Sequence, residues 1–185
     1  MRLLHALAAA AAFAVLTPGA AVASPSPVRF VTADGTFTAA APGAPAVTYR
    51  PDLVPAGAQA HVFVLSAEGT TTLFFVTGLR PGRAYGAHAH TQSCGATGDA
   101  AGPHFQHVPD PVKPSVDPAY ANPGNEIWLD FTTDRAGTGF ARSTVDWTFT
   151  TRRAGSVVIH ETHTHTDPGH AGTAGARLAC LDVGF

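Results

Sequence analysis

From residue 24 onward the chain holds almost no helical spacing of apolar residues. Short β-branched and aromatic runs follow one another instead, cut by turn residues, and that pattern points to an all-β sandwich or barrel. Val28–Phe37 contains an Asp34-Gly35 turn signal. His61–Leu65 and Thr70–Val76, joined through Ala67-Glu68-Gly69, read as a hairpin. Arg80-Pro81-Gly82 punctuates before Ala84–His90, and Glu126–Phe131 alternates with Ile127, Leu129 and Phe131 on one face. Trp147–Phe149, Val157–Ile159 and Leu178–Phe185 complete about eight strands. Between Thr91 and Asn125 lies a stretch rich in Gly, Pro, Asp and His with no strand pattern. A loop of that length in a small β domain is expected to carry function.

The first 23 residues read differently. Arg2 supplies a positive start, residues 6–16 form an apolar run too short to span a bilayer as a helix, and Ala21-Val22-Ala23 has the small-x-small pattern. This predicts a secretory signal peptide over 1–23, cut after Ala23, and one domain over 24–185 that is secreted or held in the periplasm or cell envelope. No cysteine directly follows the run, so a lipid anchor is not expected, and no other segment has transmembrane length. With 11 Lys plus Arg against 13 Asp plus Glu, and Lys113 the one lysine, the chain lacks the basic face that a nucleic-acid binder needs.

Export bears on the two cysteines, Cys94 and Cys180. An oxidising compartment favours joining them, and a loop of roughly 85 residues closed this way would contribute about 4–5 kcal/mol in the chain-entropy picture. Two free buried thiols are the alternative.

The chain has 10 histidines, and their placement carries the chemistry. In Gly86-Ala87-His88-Ala89-His90 a strand turns both imidazoles to one face, with small neighbours leaving room around them. His104 follows a Gly102-Pro103 turn, and His160 follows the apolar Val157-Val158-Ile159. Four neutral imidazoles suit Cu(II) or zinc. With no thiolate free to join them, a site that cycles redox favours copper. His61 reads as structural or exposed.

The order and context of several blocks resemble the copper–zinc superoxide dismutase family. They are Gly78-Leu79-Arg80-Pro81-Gly82-x-x-Tyr85-Gly86-x-His88-x-His90 with Cys94, then Gly102-Pro103-His104-Phe105, Gly124-Asn125, Val158-Ile159-His160-Glu161, and Ala174-Gly175-x-Arg177-Leu178-Ala179-Cys180. The resemblance covers roughly residues 60–185. It implies an eight-stranded Greek-key β-barrel or sandwich with two long functional loops. It also implies a copper site of His88, His90 and His160 with His104 as the imidazole bridging copper to zinc. Cys94 and Cys180 match the family disulfide, and Arg177 matches the arginine beside the copper channel.

The zinc half departs from that pattern. Asn122 stands where the family has an aspartate, Val112 and Ala119 stand near its histidine positions, and His107 alone remains as an imidazole in that loop, the one candidate zinc ligand there. A copper-only site, or a zinc site rebuilt with outside ligands, is therefore expected. Asp167 is the candidate for the aspartate that links the two metal sites. His163 and His165 could replace zinc ligands, capture copper or simply face solvent.

The function that the resemblance implies is dismutation of superoxide to oxygen and hydrogen peroxide, with Arg177 attracting the anion and His104 handling a proton. The alternative is a copper-binding or copper-delivery domain without turnover, which would have no use for Arg177. A homodimer is compatible with either, and a third, weaker reading is an exported structural β-domain with no metal.

Overall fold

The computed structural model describes residues 28–41 and 43–185, so the predicted signal peptide lies outside the described residues. The strands are β1 (Arg29–Thr36), β2 (Thr38–Ala39), β3 (Ala46–Thr48), β4 (Gln59–Ser66), β5 (Thr70–Thr77), β6 (Ala84–His90), β7 (Phe131–Thr132), β8 (Gly139–Val145), β9 (Ser156–His160) and β10 (Arg177–Asp182). Two-residue alternation builds the first sheet, in the order β1-β4-β5-β8. Ala60, Val62 and Val64 of β4 and Phe74 and Val76 of β5 point inward, while His61, Phe63 and Phe75 point out. The second sheet, β2-β3-β10-β9-β6-β7, holds the continuously buried strand β9 at its middle. That strand is covered by the core on one side and by the long loops on the other.

Between the sheets Tyr85 stacks on Phe131 at 5.2 Å, and Phe74 meets the same ring edge-on at 5.8 Å. Tyr85 is fully buried and its hydroxyl donates to the Leu53 carbonyl at 2.8 Å. One end of the sandwich is closed by Phe105, Trp147, Phe149 and Phe185, in ring contact from 5.0 to 5.9 Å. Each buried ring of this kind stabilises the fold by about 1.5–3 kcal/mol.

The all-β sandwich matches the sequence reading, with chain crossings between the sheets from β5 to β6 and from β7 to β8. Several details differ. Among the described residues there are ten strands rather than eight, in two separate sheets without closure into a barrel. β8 escaped notice because Arg142, Ser143 and Thr144 interrupt its apolar signal, and β3 because it is three residues long. Trp147–Phe149 is buried loop, not strand. Glu126–Leu129 joins its neighbours only through the single bridges Gln106–Glu126 and His88–Trp128.

Asp34-Gly35 is no turn. β1 runs straight through it, with Asp34 opposite His61 and Gly35 opposite Ala60. The glycine is needed for close packing: a Cβ there would lie 2.5 Å from the Ala46 Cβ and 2.6 Å from Leu181 Cδ1. Gly35→Ala should cost about 1–3 kcal/mol in urea unfolding while leaving metal content unchanged, since the site is elsewhere. An unaltered midpoint would show that β3 and β10 can retreat.

Candidate metal centre

Strand pairing brings three of the histidines together. β6 runs antiparallel to β9, with Gly86 opposite His160 and His88 opposite Val158. His88 and His90 therefore lie on one face of β6, beside the end of β9 that carries His160. His104 reaches the same place from the loop through a bridge to His90. Glycine makes the approach feasible: a Cβ on Gly86 would come within 2.5 Å of the Thr162 carbonyl oxygen. One nitrogen from each of His88, His90, His104 and His160 falls within 4.8 Å of the others. His88 and His90 are fully buried and His160 is 4% exposed.

Three imidazoles have their outer nitrogen fixed by a hydrogen bond, which assigns the inner lone pair. His90 Nδ1 donates to the Gly102 carbonyl at 2.9 Å. His88 Nε2 donates to Thr164 Oγ1 at 2.6 Å, and that hydroxyl donates onward to Asp130 at 2.7 Å. His104 Nδ1 donates to Glu126 Oε2 at 2.8 Å. Glu126 is itself buried and also accepts from Trp128 Nε1 at 2.7 Å and from Gln106 Nε2 at 2.8 Å. The loop after His104 is tied to the same carboxylate, because Gln106 and Ser115 bond each other and Asp110.

The lone pairs left over converge. His88 Nδ1 is buried without a partner, and His90 Nε2 lies 3.2 Å from His160 Nε2. At most one proton can stand between that last pair, so several acceptor nitrogens face one another with too few donors. A cation satisfies them, and the neutral all-imidazole donor set fits copper or zinc. Burial holds three of the imidazoles, His88, His90 and His160, neutral. His88 and His90 are pushed far below the ordinary value by desolvation and then by His104 and His160, and His160 falls to about 3 by desolvation and the neighbouring His104.

Arg177 opens β10 opposite His160. With His104 and His160 it lines a cleft of about 710 Å3 whose walls include Lys113, Pro114, Val116 and Ala174. Its Nη1 donates to the Gly98 carbonyl at 2.8 Å, and its side chain packs so tightly that a Cβ on Gly98 would sit 2.7 Å from Arg177 Cβ. Burial lowers its pKa, from a value so high that it stays a cation. Cys94 and Cys180 form a disulfide that anchors the segment leading to Gly98 onto β10. The alternative of free thiols is thereby closed.

Other candidates lie elsewhere. His107 stacks flat on Trp147 at 4.9 Å, outside the cluster. Asn122 closes a turn, its Oδ1 accepting from the Gly124 and Asn125 amides. Asp167 does not link to the site: it is exposed and stands 3.7 Å from His165. The carboxylate that reaches His88 is Asp130, through Thr164. His163 lies against the Phe131 carbonyl, and His165 and His170 face solvent. Glu126 and Asp130 were missed because in Glu126–Phe131 they occupy the polar phase of an alternating strand pattern. The only available signal was two acidic residues there, flanking Trp128.

No family model matches the chain, and no curated protein matches it in sequence. Among solved structures it is similar to the Cu/Zn superoxide dismutase from Brucella abortus, at 19% identity and a TM-score of 0.55, covering 84% of this chain and 99% of that one. It is also similar to a mutant of an SOD-like protein from Bacillus subtilis, at 20% identity and a TM-score of 0.50, covering 65% of this chain and 88% of that one. The fold is that of these proteins, and the four-histidine cluster and the disulfide fit the pattern that the sequence resemblance implied.

Two outcomes follow from the site. The unfolded chain protonates its histidines near 6.5, whereas the folded, metal-free chain refuses protons at His160 until about 3. Stability of the metal-free protein should therefore fall as pH drops from 6.5 toward 3, by about 2 kcal/mol per excluded imidazole between pH 7 and pH 5. Urea melts at those two pH values check this, and a flat profile would mean the cluster is open to solvent. Glu126→Gln sets an amide against three donors, so chelator competition should show metal affinity reduced about ten- to a hundredfold. Undiminished affinity would remove Glu126 from the support of His104.

Proposed function

We propose that this chain is an exported, copper-dependent superoxide dismutase. The observation that carries the reading is a converging set of four imidazoles, two of which, His104 and His160, line a cleft in which Arg177 stands beside them as a cation. One-electron chemistry on superoxide needs a redox ion, and copper held by His88, His90, His104 and His160 would supply it by alternating between Cu(II) and Cu(I). Glu126 supports copper alone over a copper–zinc pair, because it occupies the His104 nitrogen that would otherwise face zinc. His107, stacked on Trp147, is not placed to serve a second metal with it.

The chain's own residues account for the remaining steps. The protein is mildly acidic and would repel an anion, so Arg177 and Lys113 on the cleft walls provide the local attraction. Arg177 spends one N–H on Gly98 and keeps others for the substrate. His104 holds its Nδ1 proton on Glu126. A proton carried at Nε2 in place of the metal would face the cleft, which suits this residue to deliver protons to the peroxide product. The disulfide accords with an oxidising compartment, and cleavage after Ala23 would leave the described fold complete.

Metal analysis beside a superoxide turnover assay tests the reading. One copper per chain with rapid turnover is expected. Copper bound without turnover would favour the delivery reading. Arg177→Ala should lower the second-order rate at least about tenfold and weaken its salt dependence, with Lys113 leaving a residual slope. Arg177→Lys should recover part of the rate. A wild-type rate in Arg177→Ala would remove the arginine from the channel.

A further inference from the structure

We infer that the outer face of the β1-β4-β5-β8 sheet is a self-association surface, and that its occupant is a second copy of this chain. The inference is independent of the metal centre. Phe30, Phe63, Phe75 and Phe140 are 62%, 38%, 41% and 59% exposed, an unusual concentration on one side of one sheet.

The strand registers place them. Asp34, His61, Phe75 and Phe140 form one row across the four strands; Thr32, Phe63, Leu73 and Arg142 form the next; Phe30, Leu65, Thr71 and Thr144 form the third. A diagonal apolar stripe results, running from Phe140 through Phe75, Leu73, Phe63 and Leu65 to Phe30. The stripe divides the face into two corners of opposite charge. Asp34, paired with His61, occupies one, and Arg142 stands on the other side.

This arrangement is self-complementary about a two-fold axis lying along the stripe. Rotation about that axis stacks each stripe on its own copy and turns the Arg142 side of one chain onto the partner's Asp34–His61 corner, twice over. That is the requirement of an isologous interface. At roughly 200 Å2 per phenylalanine, the four rings expose about 400 Å2, half of the roughly 800 Å2 that each partner of a stable complex buries, and the flanking Leu and Thr side chains extend it. A partner of unrelated chemistry would not need the opposed charges to sit symmetrically about the apolar diagonal.

Sedimentation equilibrium of the chain from Ser24 onward tests this. The wild type should dimerise with a dissociation constant at or below roughly 10 µM. Phe63→Glu with Phe140→Glu should give a monomer that keeps its circular dichroism and metal content. Asp34→Arg and Arg142→Asp should each weaken dimerisation at least about tenfold, and the two together should restore it to within about threefold, because the charge pair is exchanged rather than lost. A wild type monomeric at roughly 100 µM overturns the inference. So does a dimer that survives the glutamates, or one indifferent to both single charge reversals.

Discussion

The antiparallel pairing of β6 with β9 decides where every functional group can stand. It sets His88 and His90 beside His160 on a buried face, withdrawn from bulk solvent. Buried imidazoles must be neutral, and a neutral imidazole has one donor and one acceptor nitrogen. Once the donors are used on Gly102, Thr164 and Glu126, the acceptors are left facing inward. The attraction for a metal ion follows from that accounting.

The supporting groups come from distant parts of the chain and are themselves anchored. Glu126 collects three donors from His104, Gln106 and Trp128, which is enough to keep a carboxylate in a buried place. Asp130 holds Thr164 through both hydroxyl and backbone amide, so the segment after His160 is pinned over His88. The Cys94–Cys180 bridge sets the Gly98 turn against Arg177. The cleft thus has an anchored floor and two cations, Arg177 and Lys113, on its wall.

The two sheets divide the work. The central strands of the six-stranded sheet, β3, β10, β9 and β6, are buried on both faces because loops cover them, and small and apolar residues fill most of their positions. The four-stranded sheet keeps clean alternation, but its outward phase is aromatic where a solvated face would be polar. That departure has no role at the metal centre and belongs to the surface.

Much of this was legible in the chain. Period-two alternation and frequent turn residues determined the all-β class, and the same geometry made His88 and His90 neighbours, since residues two apart on a strand share a face. The order of blocks added His104, His160, Arg177 and the cysteines as a set. Tertiary structure alone decided the rest. Asp34-Gly35 read as a turn because local sequence cannot distinguish a glycine that bends the chain from one that lets Ala46 and Leu181 pack close. Glu126 and Asp130 read as the solvent side of a strand, and His107 as a candidate ligand, because pattern gives a side chain's phase but not what covers it. Hydrogen-bond partners 22 and 34 residues apart in sequence are chosen by how loops fold over the sheet, and no local period records that choice.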